Sequence, residues 1–273
     1  MFFQMSQKNI SRKFSKIRES IFLKSFKLLK SSPDKAFLII LFDSLFLASF
    51  LYVMPTIAKY FAQSLVLPQT YLALYIIMLF QLMYYLIVLF IYSFFKYSVL
   101  DFIKSLFERT ETSFKRLGQF YALNIVIAGM FFAIFLIFGF IIESVKEPYR
   151  PFILIFLATP YMLFLYVIMN TSHSLFYQGA SHKESFMKGL KITFTKMRTY
   201  REIILVFVLF ALLLGLLLLG IGYLVKLTSS NYTLYLTLYD YFKRSSKFIF
   251  DIVLYFTIFV NRISFYSIIK ENK

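Results

Sequence analysis

Five polar side chains lie where a membrane-spanning sequence would place chemistry: Asp43, Gln81, Asn124, Asn261 and Arg262 each interrupt a long apolar run. Ionisable groups in such runs mark ion pathways, proton relays or internal ion pairs. Asp43 stands about seven residues from one end of its run and Arg262 about seven from the end of the last, so both lie roughly 10 Å below the same surface. Equal depth permits a salt bridge if the first and last helices are neighbours. Two other readings stay open: Arg262 snorkels to the headgroups without a partner, or the residues serve an ion or proton pathway. Asn124 and Asn261 fall at similar depths, Asn170 nearer the surface and Gln81 close to the middle. For each the default is an interhelical hydrogen bond worth about 0.6 kcal/mol. Asp251, one turn from the opposite end of its run, reaches headgroups and carries no chemistry.

Much other chemistry is excluded by composition. The chain has no cysteine, which removes disulfides, thiol nucleophiles and thiolate metal sites. Its two histidines, His173 and His182, have no third ligand at a metal-binding spacing and read as surface residues. No phosphate-binding lysine loop, dinucleotide-binding glycine pattern, nucleophile elbow or paired carboxylates on one helix face occurs. The sequence therefore offers no catalytic, cofactor-binding or metal-ligating residues. It favours a non-catalytic scaffold or accessory subunit, with a small transporter or exporter component as the alternative and a membrane-embedded lipid enzyme third.

Sixty per cent hydrophobic and 16% charged residues in 273 describe a membrane-embedded chain, not a soluble domain. The excess of Phe and absence of Trp fit an AT-rich genome, so the rings are not read as a ligand-binding set. Six windows are long enough to span, at 36–58, 71–95, 119–142, 151–170, 202–225 and 248–269. Pro148 and Pro151 set the turn before the fourth, and Pro160 inside it predicts a kink. The net charge of +17 flanks these windows instead of forming a separate nucleic-acid-binding domain. Segments 1–35, 96–118 and 171–201 carry nine, five and six Lys and Arg, against one, two and four in the alternate connections. That asymmetry predicts a cell-membrane protein with both termini and the richer segments in the cytoplasm.

The three basic segments read as amphipathic helices on anionic headgroups, doubling as possible docking surfaces for a protein partner. Their apolar stripes are Ile10, Phe14, Ile17, Ile21 and Leu28, then Phe95, Val99, Phe102 and Leu106, then Phe186, Leu190, Phe194 and Met197. A Ser-Phe pair recurs in all three, as Ser25-Phe26-Lys27, Ser113-Phe114-Lys115 and Ser185-Phe186-Met187-Lys188-Gly189. The expected fold is all-α, a single domain of six spans over 1–273. It consists of three parallel repeats, at 10–95, 96–170 and 171–270, each a cytoplasmic amphipathic helix followed by a hairpin. Small-xxx-small pairs at Ser44/Ala48, Gly129/Ala133 and Ala211/Gly215 predict close helix contacts in the first span of each repeat. On these Ser-Phe segments the layout resembles a loose group of prokaryotic membrane proteins, including the membrane portion attached to some glycerophosphodiester phosphodiesterases. The resemblance implies repeated helix-plus-hairpin units. It does not imply the phosphodiesterase activity, because no catalytic domain of that kind is present.

Overall fold

The computed structural model describes residues 20–64, 71–108, 114–195, 197–228 and 232–271. Among them the chain is helical, without strands. Helix α1 is Ile21–Ser31, and α2, Pro33–Ala48, starts with Pro33 in its first turn, where the missing N–H costs nothing. One π-turn, Ser49–Val53, joins α2 to α3, Met54–Ser64. The extra residue falls just before Pro55, which has no N–H to give to the preceding turn. Then follow α4 (Tyr71–Ser105), α5 (Phe114–Glu143), α6 (Arg150–Tyr177), α7 (His182–Thr195), α8 (Met197–Thr228) and α9 (Tyr232–Glu271).

Six stretches are long and apolar enough to cross a membrane: Pro33–Tyr60, Tyr71–Ser105, Phe114–Glu143, Glu147–Tyr177, Tyr200–Leu227 and Tyr232–Glu271. Each contains one of the six windows read from the sequence. Pro160 lies inside α6, which continues through it.

The surface helix expected over 96–118 is not a separate element. Helix α4 contains neither Pro nor Gly and runs unbroken for 35 residues, about 52 Å, well beyond a hydrocarbon core of about 30 Å. Its last turns bury Lys96, Tyr97, Val99, Leu100 and Ile103, so that segment is the packed end of a span. Of the remainder, Ser113 lies outside the described residues, and Phe114, 91% exposed, opens α5. Residues 171–177 likewise belong to α6. That helix ends where Gly179 takes a φ of +101°, with Gly179 N–H donating to Phe176 O at 3.0 Å and Ala180 N–H to Leu175 O at 3.2 Å. This paired cap needs a left-handed residue, which glycine adopts without strain.

Helix α7 then folds back on α6, with Phe194 of the expected stripe 4.7 Å from the Phe164 ring and Phe186 and Leu190 half-buried, but the closest approach lies on another face. Phe194 is exposed, whereas Ser185, Gly189 and Thr193 are buried. A Cβ at Gly189 would collide with Ser172 Oγ on α6, so the approach depends on the absence of a side chain. On α1, too, Ser25 is buried while Phe26 is exposed. In these two Ser-Phe pairs it is the serine that packs. Residues 10, 14 and 17, and the side chain of Met197, lie outside what is described.

The small-xxx-small pairs do not make close contacts in the described structure. A Cβ at Gly129 or Gly215 would meet nothing within 4 Å, and Ser44 and Ala48 are exposed. The tight glycines are Gly189 and Gly222, the latter facing Phe242.

Two compact units divide the chain, one comprising Leu28–Thr195 and the other Lys196–Lys273 with the chain up to Lys27. In the first, Phe42 and Phe46 of α2 pack edge-on and tilted against Phe95, Phe102 and Tyr92 of α4, and Lys35 Nζ donates to Ser105 O. In the second, Tyr200 of α8 stacks on Phe265 of α9 at 5.4 Å.

Candidate functional site

Three helices of the first unit converge near their basic ends, each contributing one polar side chain to a buried chain of hydrogen bonds. Ser93 comes from α4, Asn124 from α5 and His173 from α6, at 0%, 2% and 0% exposure. Asn124 Nδ2 donates to Ser93 Oγ at 2.9 Å, and Ser93 Oγ donates to Leu89 O at 2.6 Å. The other end of the amide, Oδ1, lies 2.7 Å from His173 Nε2. Because Oδ1 only accepts, this places the histidine proton on Nε2. Phe120 covers the ring, its centroid 4.7 Å from that of His173.

Further contacts reinforce the same junction. Tyr177 Oη donates to Tyr97 O, and the two rings lie 5.1 Å apart. Arg116 donates to Phe176 O at 3.1 Å and stands 5.5 Å over the Phe176 ring. Tyr121 Oη donates to Leu86 O at 3.1 Å, and Tyr92 Oη to Met169 Sδ at 3.3 Å. Chemically the arrangement joins helices: these groups bond to backbone carbonyls and neighbouring side chains. Close by, the hydroxyls of Thr171, Ser172 and Ser185 are buried without a hydrogen-bond partner among the described residues. A cleft of about 300 Å³ opens between α2, α4 and α5, lined by Phe42, Phe94, Tyr97, Asp101, Phe102 and Leu117 among others.

In the second unit Asn261 is fully buried on α9, and neither its amide oxygen nor its nitrogen meets a hydrogen-bond partner among the described residues. One turn on, Ser264 Oγ lies 2.9 Å from Ser25 Oγ of α1. Glu202 of α8 accepts from Ser20 Oγ and, at 3.4 Å, from Phe22 N–H. A carboxylate there satisfies open donors in the first turn of α1 and complements its dipole.

The five residues singled out from sequence therefore have different settings. Asn124 is joined to two other helices. Asn261 is buried in the second unit, and Gln81 is exposed midway along α4. Asp43 is half-buried on α2 of the first unit, and Arg262 half-buried on α9 of the second. Asn170 is buried and donates to Tyr166 O at 2.8 Å within its own helix.

His173 is the correction that matters most: expected at the surface, it is fully buried at one end of the polar chain. The signal was the helical spacing of Asn170, His173 and Tyr177, steps of three and four that put three polar rings and amides on one face. His182 is exposed, at the start of α7. Among the described residues no three His, Asp or Glu side chains gather as a metal site. The chain matches no protein-family model, no curated protein and no solved structure.

Proposed function

We propose that this chain is a non-catalytic scaffold or accessory subunit of the cell membrane, with the basic helix ends on the cytoplasmic side. The observation that carries the reading is the use to which Asn124 is put. A polar group at that depth is the natural candidate for handling an ion or a proton, yet both ends of its amide are engaged in linking α4 to α6 through α5. Lysines on the two short helices point outward. Lys24, Lys27 and Lys30 on α1 and Lys183, Lys188 and Lys191 on α7 are exposed, and each Lys near an anionic leaflet contributes attraction of about 1 kcal/mol. Anionic headgroups are thus the first partner, and the exposed Gln81 on α4 suits an amide contact with a helix of a second membrane protein.

Orientation is tested by single-cysteine labelling in intact cells, which the cysteine-free chain makes clean. A Cys at Ser144 labels with an impermeant maleimide, and one at Ser181 does so only after permeabilisation; the reverse pattern inverts the topology. For the activity, protein in sealed vesicles leaves the permeability to ions and small solutes at the protein-free level. Saturable movement of a defined solute would replace the scaffold reading by the second one, a small transporter component. One feature favours that alternative, the exposed charged face of α9.

A further inference from the structure

Four charged residues of α9, Asp240, Arg244, Lys247 and Asp251, recur at steps of four, three and four, with Lys243 beside them. At 100° per residue they share one helix face, and Arg262 stands three turns further along the same face. They are paired along the helix, Arg244 with Asp240 at 2.8 Å and Lys247 with Asp251 at 3.2 Å, and all four side chains are more than half exposed. Read along α9 alone, the stripe leads out of the membrane and needs no explanation. The register against α8 places it elsewhere.

Two contacts fix that register within the second unit. Tyr200 stacks on Phe265, and a Cβ at Gly222 would stand 3.1 Å from the Phe242 ring. The helices are antiparallel, so each step forward on α8 is matched by a step back on α9. Ile203 then lies beside Arg262, and Val225 beside Tyr239. Between Glu202 and Lys226, α8 has no charged residue, an apolar run of about 34 Å that fills the hydrocarbon core of a bilayer. The charged stripe runs beside the half of that apolar run farther from the basic ends. Asp251 falls beside Leu213 and Leu214, at its middle, about 18 Å from its far end. An aspartate has no stem long enough to reach headgroups from there.

We propose that this face of α9 lines a hydrated groove entering the bilayer from the side opposite the basic helix ends, and that its ligand is the zwitterionic headgroup of a phospholipid. Positive in its middle, at Lys243, Arg244 and Lys247, and negative at both ends, the stripe matches a dipolar group. The phosphate is taken between Arg244 and Lys247, which are neighbours three residues apart, and the ammonium by Asp251 or Asp240. Each pair is neutral in itself and the exposed Lys243 adds one positive charge; a free cation is repelled, and a free anion offers nothing to the two carboxylates. A second copy of the chain is a poor occupant: a two-fold axis along the membrane normal sets residues of equal depth against each other, Arg244 on Arg244 and Asp251 on Asp251. The inference rests on the membrane-spanning reading of the helices and not on the scaffold reading, so a failed flux assay leaves it standing.

The test uses full-length protein in phosphatidylcholine vesicles with a single introduced cysteine carrying a small fluorophore. Leu254→Cys puts the probe on the charged face, one turn deeper than Asp251, and Ile249→Cys on the opposite, apolar face. Phosphatidylcholine with a nitroxide on the choline quenches the probe at 254 several-fold more than phosphatidylcholine with a nitroxide at the chain end, and the order reverses at 249. Replacing both members of one pair, Lys247→Leu with Asp251→Leu, keeps the net charge and removes the headgroup preference at 254. Stronger chain-end quenching at both sites would overturn the groove. Access of an impermeant thiol reagent to Leu254→Cys without headgroup quenching would mean water alone and overturn the ligand. Shielding of 254 from both nitroxides and from the reagent would mean a protein covers the face, and would overturn both.

Discussion

Asn124, in the unit formed by Leu28–Thr195, and Asn261, in the unit containing α8 and α9, are both buried near basic helix ends, at 2% and 0% exposure. Around Asn124, two other helices supply Ser93 and His173 at hydrogen-bonding distance. Around Asn261 no described residue offers a partner: the nearest turns of α9 bury Phe259, Val260, Ile263 and Phe265, and the hydroxyls of Thr257 and Ser264 bond to the helix backbone instead. The amide is the same, with opposite consequences. A buried amide stabilises when neighbouring helices bring donors and acceptors to it; among apolar side chains it costs the desolvation of both its ends.

The largest effect is expected where the first site is walled in. Gly189→Leu drives a side chain into Ser172, next to His173, and overpacking of this kind costs about 3 kcal/mol. Thermal unfolding in nanodiscs reads it as a lowered midpoint. Ser172→Ala in the same chain recovers part of the loss because it removes the Oγ that collides. If the two substitutions are simply additive, α7 does not press on α6 as described.

Asn124→Leu comes next. It removes two hydrogen bonds and leaves the His173 Nε2–H buried without its acceptor, a loss of about 2 kcal/mol in the same assay. An unchanged midpoint would mean that the three-helix junction is held by apolar packing alone.

Asn261→Leu has the smallest expected effect and the opposite sign. Removing an amide that meets no partner among the described residues, with little change in volume, gains up to about 1 kcal/mol. A loss as large as that of Asn124→Leu would show Asn261 to be engaged after all, for instance by buried water, and would erase the contrast between the two sites.

The number of spans was legible because it depends on local quantities. Twenty or so uncharged apolar residues cannot do without a bilayer or a core wherever the chain folds, and all six windows lie in long helices. The continuation of α4 past residue 95 was legible in principle: no helix breaker stands between Tyr71 and Ser105. An apolar window stops at Lys96, where the helix itself does not. The stripe on α7 misled for a related reason. Large apolar residues at helical spacing suggest a buried face, yet on α7 the buried positions are Ser185, Gly189 and Thr193, because close approach rewards small side chains over apolar ones.

Sequence by itself determined that this chain forms long apolar helices with basic residues at alternate ends, since hydropathy and charge act residue by residue. Which polar side chains have partners was decided only by tertiary structure. Asn124 finds Ser93 31 residues away and His173 49 residues away, and nothing in the sequence around Asn261 announces that it finds none among the described residues. A hydrogen bond needs two groups within about 3 Å and a favourable angle, and three-dimensional packing sets both.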